Sequence, residues 1–328
     1  MINDNKLEDI RISLEQHIQE LELKGNPPEL YDPITYLMGL GGKRIRPLLT
    51  LLAYGLYKED YQKVLTPAAA IEVFHNFTLM HDDIMDNAPL RRGKATVHEK
   101  WDDNTAILSG DVMLVKAYDL FLSITPEYLK ESLQLFSKTA AEVCEGQQMD
   151  MNFENREFVS EAEYLNMIRL KTAVLLGFSL QLGAVLAGAS KEDSNHLYDF
   201  GVNIGVAFQL KDDLLDVYAD KEKFGKQVGG DILANKKTYL LVKANELAEG
   251  SVNENLQKWI NSTSFNPEEK VKAVTSIYDQ LQIKEKTLEL MDDYFERGFN
   301  QLSSLQVKNT AGLQLLQNLT HNLANREK

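Results

Sequence analysis

The sequence has a single cysteine among its 328 residues, Cys144, so no internal disulfide can staple the fold and the chain suits a reducing compartment. Cys144 itself reads as a small buried apolar residue with no chemistry of its own. Positive charge is also scarce. The 35 lysines and arginines stand against 49 aspartates and glutamates, a net charge of −14, which argues against a nucleic-acid surface. No Pro/Gly/Ser-rich linker interrupts the chain, so residues 1–328 are expected to form one domain. Alternating β-branched runs bounded by turn residues are missing, and no strand is expected. The opening residues MINDNKLEDI lack the basic and apolar regions of a secretory signal, so a cytoplasmic protein is expected. One uncharged stretch, residues 172–190, reaches the lower limit of membrane-spanning length. It contains Ser179, Gln181 and glycines but no aromatic belt, and it follows Lys171, so it reads as a helix buried on all sides and no transmembrane segment is expected.

What is present is helical periodicity. Leu7, Ile10, Leu14, Ile18 and Leu21 recur at three and four residues, predicting an amphipathic helix that stops before Asn26-Pro27-Pro28. Pro67 suits the first turn of a helix leading to Asp82. Gly110 and Asp111 are expected to open another helix over 112–122, with Asp111 as an N-terminal charge complementing the dipole. Residues 87–97 read as a loop. The stretch from 254 to the end keeps Leu-rich faces that include Leu281, Leu288 and Leu290 but offers no motif.

The chemistry concentrates in two copies of one pattern. Asp82, Asp83 and Asp86 lie in HDDIMD, and Asp212, Asp213 and Asp216 repeat the spacing in KDDLLD. On a helix, the first and last aspartate of each copy project from one face a turn apart, where like charges repel. A divalent cation between them relieves that repulsion, and a hard-oxygen site with few protein ligands suits Mg²⁺ carrying substrate phosphates. A lone acidic pair is usually a solvated helix face; two copies, each after an uncharged run, are harder to dismiss. Two such helices facing each other would make an apolar cavity with an acidic mouth. Arg91 and Arg92 follow the first copy, and guanidiniums grip phosphate oxygens in a fork. Lys43 and Arg46 follow Gly41 and Gly42, either as a solvated basic turn or as a phosphate pocket on permissive backbone. Lys171 and Thr172 precede the uncharged helix, where Lys171 either snorkels or holds a head group. Residues 219–237, rich in Lys and Gly, read as a mobile loop that carries Lys226 and Lys236 over phosphates.

In order along the chain, GGKRIRP, HNFTLMHDDIMDNAPLRRG, SGDVML, GQQMD, LKTA, FQLKDDLLD, FGKQVGGDI and NKKTY resemble the trans-isoprenyl diphosphate synthases, or polyprenyl synthetases, over about two thirds of the sequence. The resemblance implies an all-α fold, one large helical bundle around a central apolar cavity, a homodimer and three Mg²⁺ ions. It implies head-to-tail joining of isopentenyl diphosphate to an allylic diphosphate. The metals would be held by Asp82, Asp83, Asp86, Asp212, Asp213 and Asp216. Lys43, Arg46, His75 and Arg92 would hold isopentenyl diphosphate, Arg91, Lys171 and Lys226 the allylic diphosphate, and Lys236 would bind substrate. Thr172 and Gln209 would turn their dipoles toward the allylic cation. Gln147 and Asp150 of GQQMD rank behind these.

Chain growth would run down the apolar interior from Asp82. Helical periodicity puts Thr78 one turn below that residue, and the resemblance adds Phe77 as a bulky floor, so the products would be farnesyl or, favoured, geranylgeranyl diphosphate. Two rivals remain, a class I terpene cyclase and a non-catalytic subunit of a heteromeric synthase. A cyclase needs no second diphosphate pocket, and a silent subunit would have lost aspartates.

Overall fold

The computed structural model describes residues 2–219 and 229–324. Its helices are α1 (Ile2–Gln19), α2 (Pro28–Gly39), α3 (Ile45–Gly55), α4 (Leu65–Met85), α5 (Val97–Lys100), α6 (Asp103–Phe121), α7 (Pro126–Glu154), α8 (Glu161–Ile168), α9 (Val174–Leu186), α10 (Lys191–Tyr218), α11 (Gly230–Leu233), α12 (Tyr239–Leu247), α13 (Gly250–Ile260), α14 (Pro267–Gln280), α15 (Ile283–Ser303) and α16 (Thr310–Ala324). The fold is all-α. Local chemistry sets many of the helix ends: Pro28 opens α2, Asp102 accepts the Thr105 N–H at the start of α6, Ser160 and Glu163 form a reciprocal cap on α8, and Asn266 caps α14.

The chain packs as two compact units. One comprises residues 1–138, 178–198 and 305–318. Its interior is aromatic, with Phe136 at 5.0 Å from Phe74, 4.6 Å from Phe121 and 5.8 Å from Phe178, ring centre to ring centre. The α1 helix buries Ile10, Leu14 and Ile18 as its periodicity predicts. The other unit comprises 139–177, 199–304 and 319–328, and buries Leu210, Leu214, Leu240 and Tyr278 together.

Several expectations are corrected. The α6 helix begins at Asp103, so Asp111 sits exposed in mid-helix, because the Asp102 cap rather than Gly110 starts it. Within 87–97 the chain forms a minimal hairpin, Leu90–Arg91 against Lys94–Ala95. Arg92 and Gly93 occupy its turn with φ of 52° and 75°, and two-residue strands are too short to leave a sequence period. The exposed α7 face carries Cys144, which is therefore not buried, and Leu288 is exposed on α15. A helical turn, α11, interrupts 219–237, while Lys226 lies outside the described residues. The apolar stretch expected inside the protein is inside: the helical run Glu161–Leu186 is the one described segment long and apolar enough for a membrane, and 83% of its most apolar window is buried.

Candidate active site

The first aspartate motif occupies the last turn of α4. Asp82 is half-buried, Asp83 is 2% exposed, and Asp86 is exposed as the C-cap residue, with its N–H bonded to the Asp82 carbonyl. A helix C-terminus carries partial negative charge, so carboxylates are poorly placed there unless cations answer them. One does. The hairpin returns Arg91, whose Nε and Nη2 each lie 2.7 Å from an Asp83 oxygen in a two-pronged bond, with Nη2 also 4.0 Å from Asp82.

Nearby in the same unit the basic residues converge. Arg46 on α3 lies 3.1 Å from His75 Nε2 through Nη1, so the imidazole accepts from the guanidinium. Burial, reinforced by Arg46, Arg92, Arg91 and Arg44, pushes the His75 pKa well below its usual value and keeps the ring neutral. Arg92 lies against Gly42: a Cβ at that position would come within 2.9 Å of Nη2, so a larger residue there would displace the guanidinium. Lys43, which follows Gly42 in the chain, is exposed. Arg44, a buried residue, and its partners Glu15 and Glu72 are not among the site residues expected from the sequence. A signal for Glu72 existed, since it is the lone charge in the apolar run AAAIEVF.

Phe77 is buried on α4, 5.6 Å from Phe74 and 4.8 Å from His81 between ring centres. Thr78 is half-buried and its hydroxyl donates to the His75 carbonyl at 2.7 Å.

In the second unit the corresponding aspartates end α10. Asp212 is exposed, Asp216 half-buried, and Asp213 4% exposed. Asp213 accepts from the Tyr164 hydroxyl, from Gln209 Nε2 at 3.1 Å and from the Tyr239 N–H at 3.1 Å. Burial nevertheless raises its pKa to about 7. Asp216 accepts the Asp231 N–H at 3.0 Å, tying α11 back to the motif. Lys236 is exposed, and its backbone N–H donates to the Asp231 carbonyl at 2.9 Å.

Thr172 donates to Gln209 Oε1 at 3.3 Å, extending the chain of bonds that ends on Asp213. Lys171 pairs with Asp150 at 2.7 Å, which gives that second-rank residue a role in holding the cation. Lys171 and Thr172 sit in a π-helical turn, Arg169–Ala173, a wider turn that breaks the α register and recurs at functional sites. Gly146 makes room for it, since a Cβ there would fall 2.2 Å from the Lys171 backbone nitrogen. Gln147 is half-buried on α7. Tyr164 gave no signal in the sequence, because nothing local links it to a motif far along the chain.

Asp82 and Asp86 in one unit and Asp212 and Asp216 in the other are hard oxygen donors at helix ends, none of them as deeply buried as Asp83 and Asp213. That donor set fits Mg²⁺.

A family model described as polyprenyl synthetase matches residues 27–278. The chain belongs to the polyprenyl synthetase family. It is 35% identical over 309 residues to a geranylgeranyl diphosphate synthase of Sulfolobus acidocaldarius, covering 93% of each chain. It is 41% identical over 238 residues to a geranylfarnesyl diphosphate synthase of Natronomonas pharaonis, covering 67% of this chain and 70% of that one. A crystal structure of a geranylgeranyl pyrophosphate synthase superposes with a TM-score of 0.91 at 43% identity, covering 98% and 99% of the two chains. As a family member, the protein is a prenyltransferase of the all-α isoprenyl synthase fold.

Proposed function

We propose that this prenyltransferase is a Mg²⁺-dependent synthase that joins isopentenyl diphosphate to an allylic diphosphate and releases a short-chain product. The observation that carries the reading is the pair of guanidiniums, Arg46 and Arg92, whose charges act on neutral His75, with Lys43 next along the chain from the Gly42 that Arg92 lies against, in the unit that also holds the first aspartate motif. A terpene cyclase needs no such second diphosphate pocket. The cluster grips the diphosphate of isopentenyl diphosphate through fork-shaped bonds and turns its double bond toward the reacting carbon, making an encounter into an oriented attack. Asp82 with Asp86, and Asp212 with Asp216, are the residues that would hold Mg²⁺, which when bound supplies Lewis-acid stabilisation to a departing diphosphate. Asp83 and Asp213 are motif members whose carboxylates meet protein donors, and they fix the helix ends that present the other four. Arg91, Lys171, Lys226 and Lys236 belong to the allylic diphosphate, with Thr172 and Gln209 offering oxygen dipoles to a developing allylic cation.

The product reading favours geranylgeranyl diphosphate, on the buried Phe77 ring beneath the first motif. A homodimer is supported by the exposed apolar side chains Leu108, Val115 and Leu122, spaced by seven residues on and just beyond α6. The test is incubation with isopentenyl diphosphate, each allylic primer and Mg²⁺, followed by product-length analysis. Prenyl products that require both substrates and the metal are expected, and cyclised hydrocarbon from an allylic substrate alone contradicts the reading. Phe77→Ala is expected to lengthen the product by about one isoprenoid unit, since a removed ring leaves comparable space. An unchanged distribution would assign the floor to another side chain.

A further inference from the structure

The loop that presents Lys43 and Arg46 is held by a residue that does not face outward. Arg44 sits between them with a left-handed backbone, φ 47°, a conformation that a non-glycine residue keeps only when its surroundings enforce it. Its guanidinium is almost wholly buried and meets three elements at once. Nη1 donates to Glu72 on α4 at 2.8 Å, Nη2 to the Met38 carbonyl at the end of α2 at 2.9 Å, and Nε to Glu15 on α1 at 3.1 Å. Glu72 is itself 2% exposed, and its only other side-chain donor among the described bonds is Asn76, at 3.3 Å. Its charge acts on Arg46 and Arg92 in the cluster. A buried anion behind a phosphate pocket would oppose phosphate binding unless it were answered locally.

Resting on the reading of Lys43, Arg46, His75 and Arg92 as the isopentenyl diphosphate pocket, we propose that Arg44 is a positioning residue for that pocket: it neutralises Glu72 from behind and, braced by Glu15, ties the loop to the N-terminal helix. By this arrangement α1, which contributes none of the predicted site residues, governs the affinity for one of the two substrates. A lysine could answer the charge of Glu72 but could not reach three separately placed acceptors, because it lacks the planar fork.

Glu15 is half exposed on its helix, so Glu15→Gln removes the charge of the brace, leaving one neutral acceptor oxygen, with little risk to folding. The Michaelis constants for isopentenyl diphosphate and for the allylic substrate are measured in Glu15→Gln, Arg44→Lys and Arg46→Ala, alongside their melting temperatures. Glu15→Gln is expected to raise the constant for isopentenyl diphosphate about threefold to tenfold while leaving the allylic constant and turnover within about twofold. Arg44→Lys, where it folds, shifts the same constant further. A merely structural bond would lower the melting temperature and leave both constants alone, and that result overturns the proposal whether or not Arg44→Lys is soluble. If Arg46→Ala also leaves the isopentenyl diphosphate constant unchanged, the pocket reading fails with it; if Arg46→Ala raises that constant and Glu15→Gln does not, only the role of Arg44 fails.

Discussion

The two aspartate motifs have the same spacing and the same place at the end of a long helix, yet the protein stabilises them differently. In each, the middle aspartate is buried and committed to protein donors. Asp83 is answered by a full cation from eight residues along the chain, Arg91, delivered by a hairpin turn. Among the described residues the side-chain and backbone donors to Asp213 are neutral groups, Tyr164, Gln209 and the Tyr239 backbone, two of which come from distant sequence. One motif is therefore locally neutralised, and the other holds a carboxylate whose pKa is lifted toward neutrality. The lesson is that one sequence pattern can be completed by a salt bridge or by a hydrogen-bond network, and the energetic consequences of mutation should differ.

The largest effect should fall on the accessible carboxylates common to both motifs. Asp82→Asn and Asp212→Asn are expected to cut turnover by about 10³-fold or more with retained helicity by circular dichroism, since each removes an oxygen donor for metal. Excess EDTA should abolish wild-type turnover; full activity in EDTA would contradict the metal reading of both motifs.

The middle aspartates should then separate the motifs. Asp83→Asn strands Arg91 beside a buried amide and is expected to destabilise by about 3 kcal/mol. Asp213→Asn keeps an oxygen that can accept from Tyr164 or Tyr239 and should cost only about 1 kcal/mol. Denaturant unfolding of the two variants decides this, and equal losses would erase the distinction. Within the second network, Tyr164→Phe removes one of three donors and should lower stability by about 1–2 kcal/mol, again read from the unfolding midpoint.

The smallest effect concerns the neutral imidazole among the cations near the first motif. His75 has a folded pKa below its unfolded value, so as pH falls below about 6.5 the unfolded chain takes up a proton that the native state refuses. Native stability should decline on that side by up to about 1.4 kcal/mol per pH unit, and it should be free of this contribution above. His75→Gln should flatten the acid limb of a urea-unfolding series, whereas an unaltered limb would assign the decline to other groups.

How much of this was legible depended on range. Helical class, both aspartate motifs, the basic GGKRIRP turn and the buried run after Lys171 all followed from periodicity and local spacing, which a linear sequence records directly. The hairpin was missed because two residues carry no period, and the start of α6 because an ordinary capping aspartate outweighed a more conspicuous Gly-Asp pair. The exposure of Cys144 was misjudged from a residue-type preference, which says nothing about the face of α7 on which it falls.

The sequence alone determined an acidic, helical, disulfide-free chain with two aspartate motifs and a basic turn, because those are properties of composition and of residues within a few turns of one another. Only the tertiary structure decided that Asp83 turns to Arg91, that Asp213 turns to Tyr164, and that Arg44 joins α1 and α4 behind the basic turn. Those choices depend on which buried polar group finds a partner across the packed core, and burial makes that partnership compulsory without writing it into neighbouring residues.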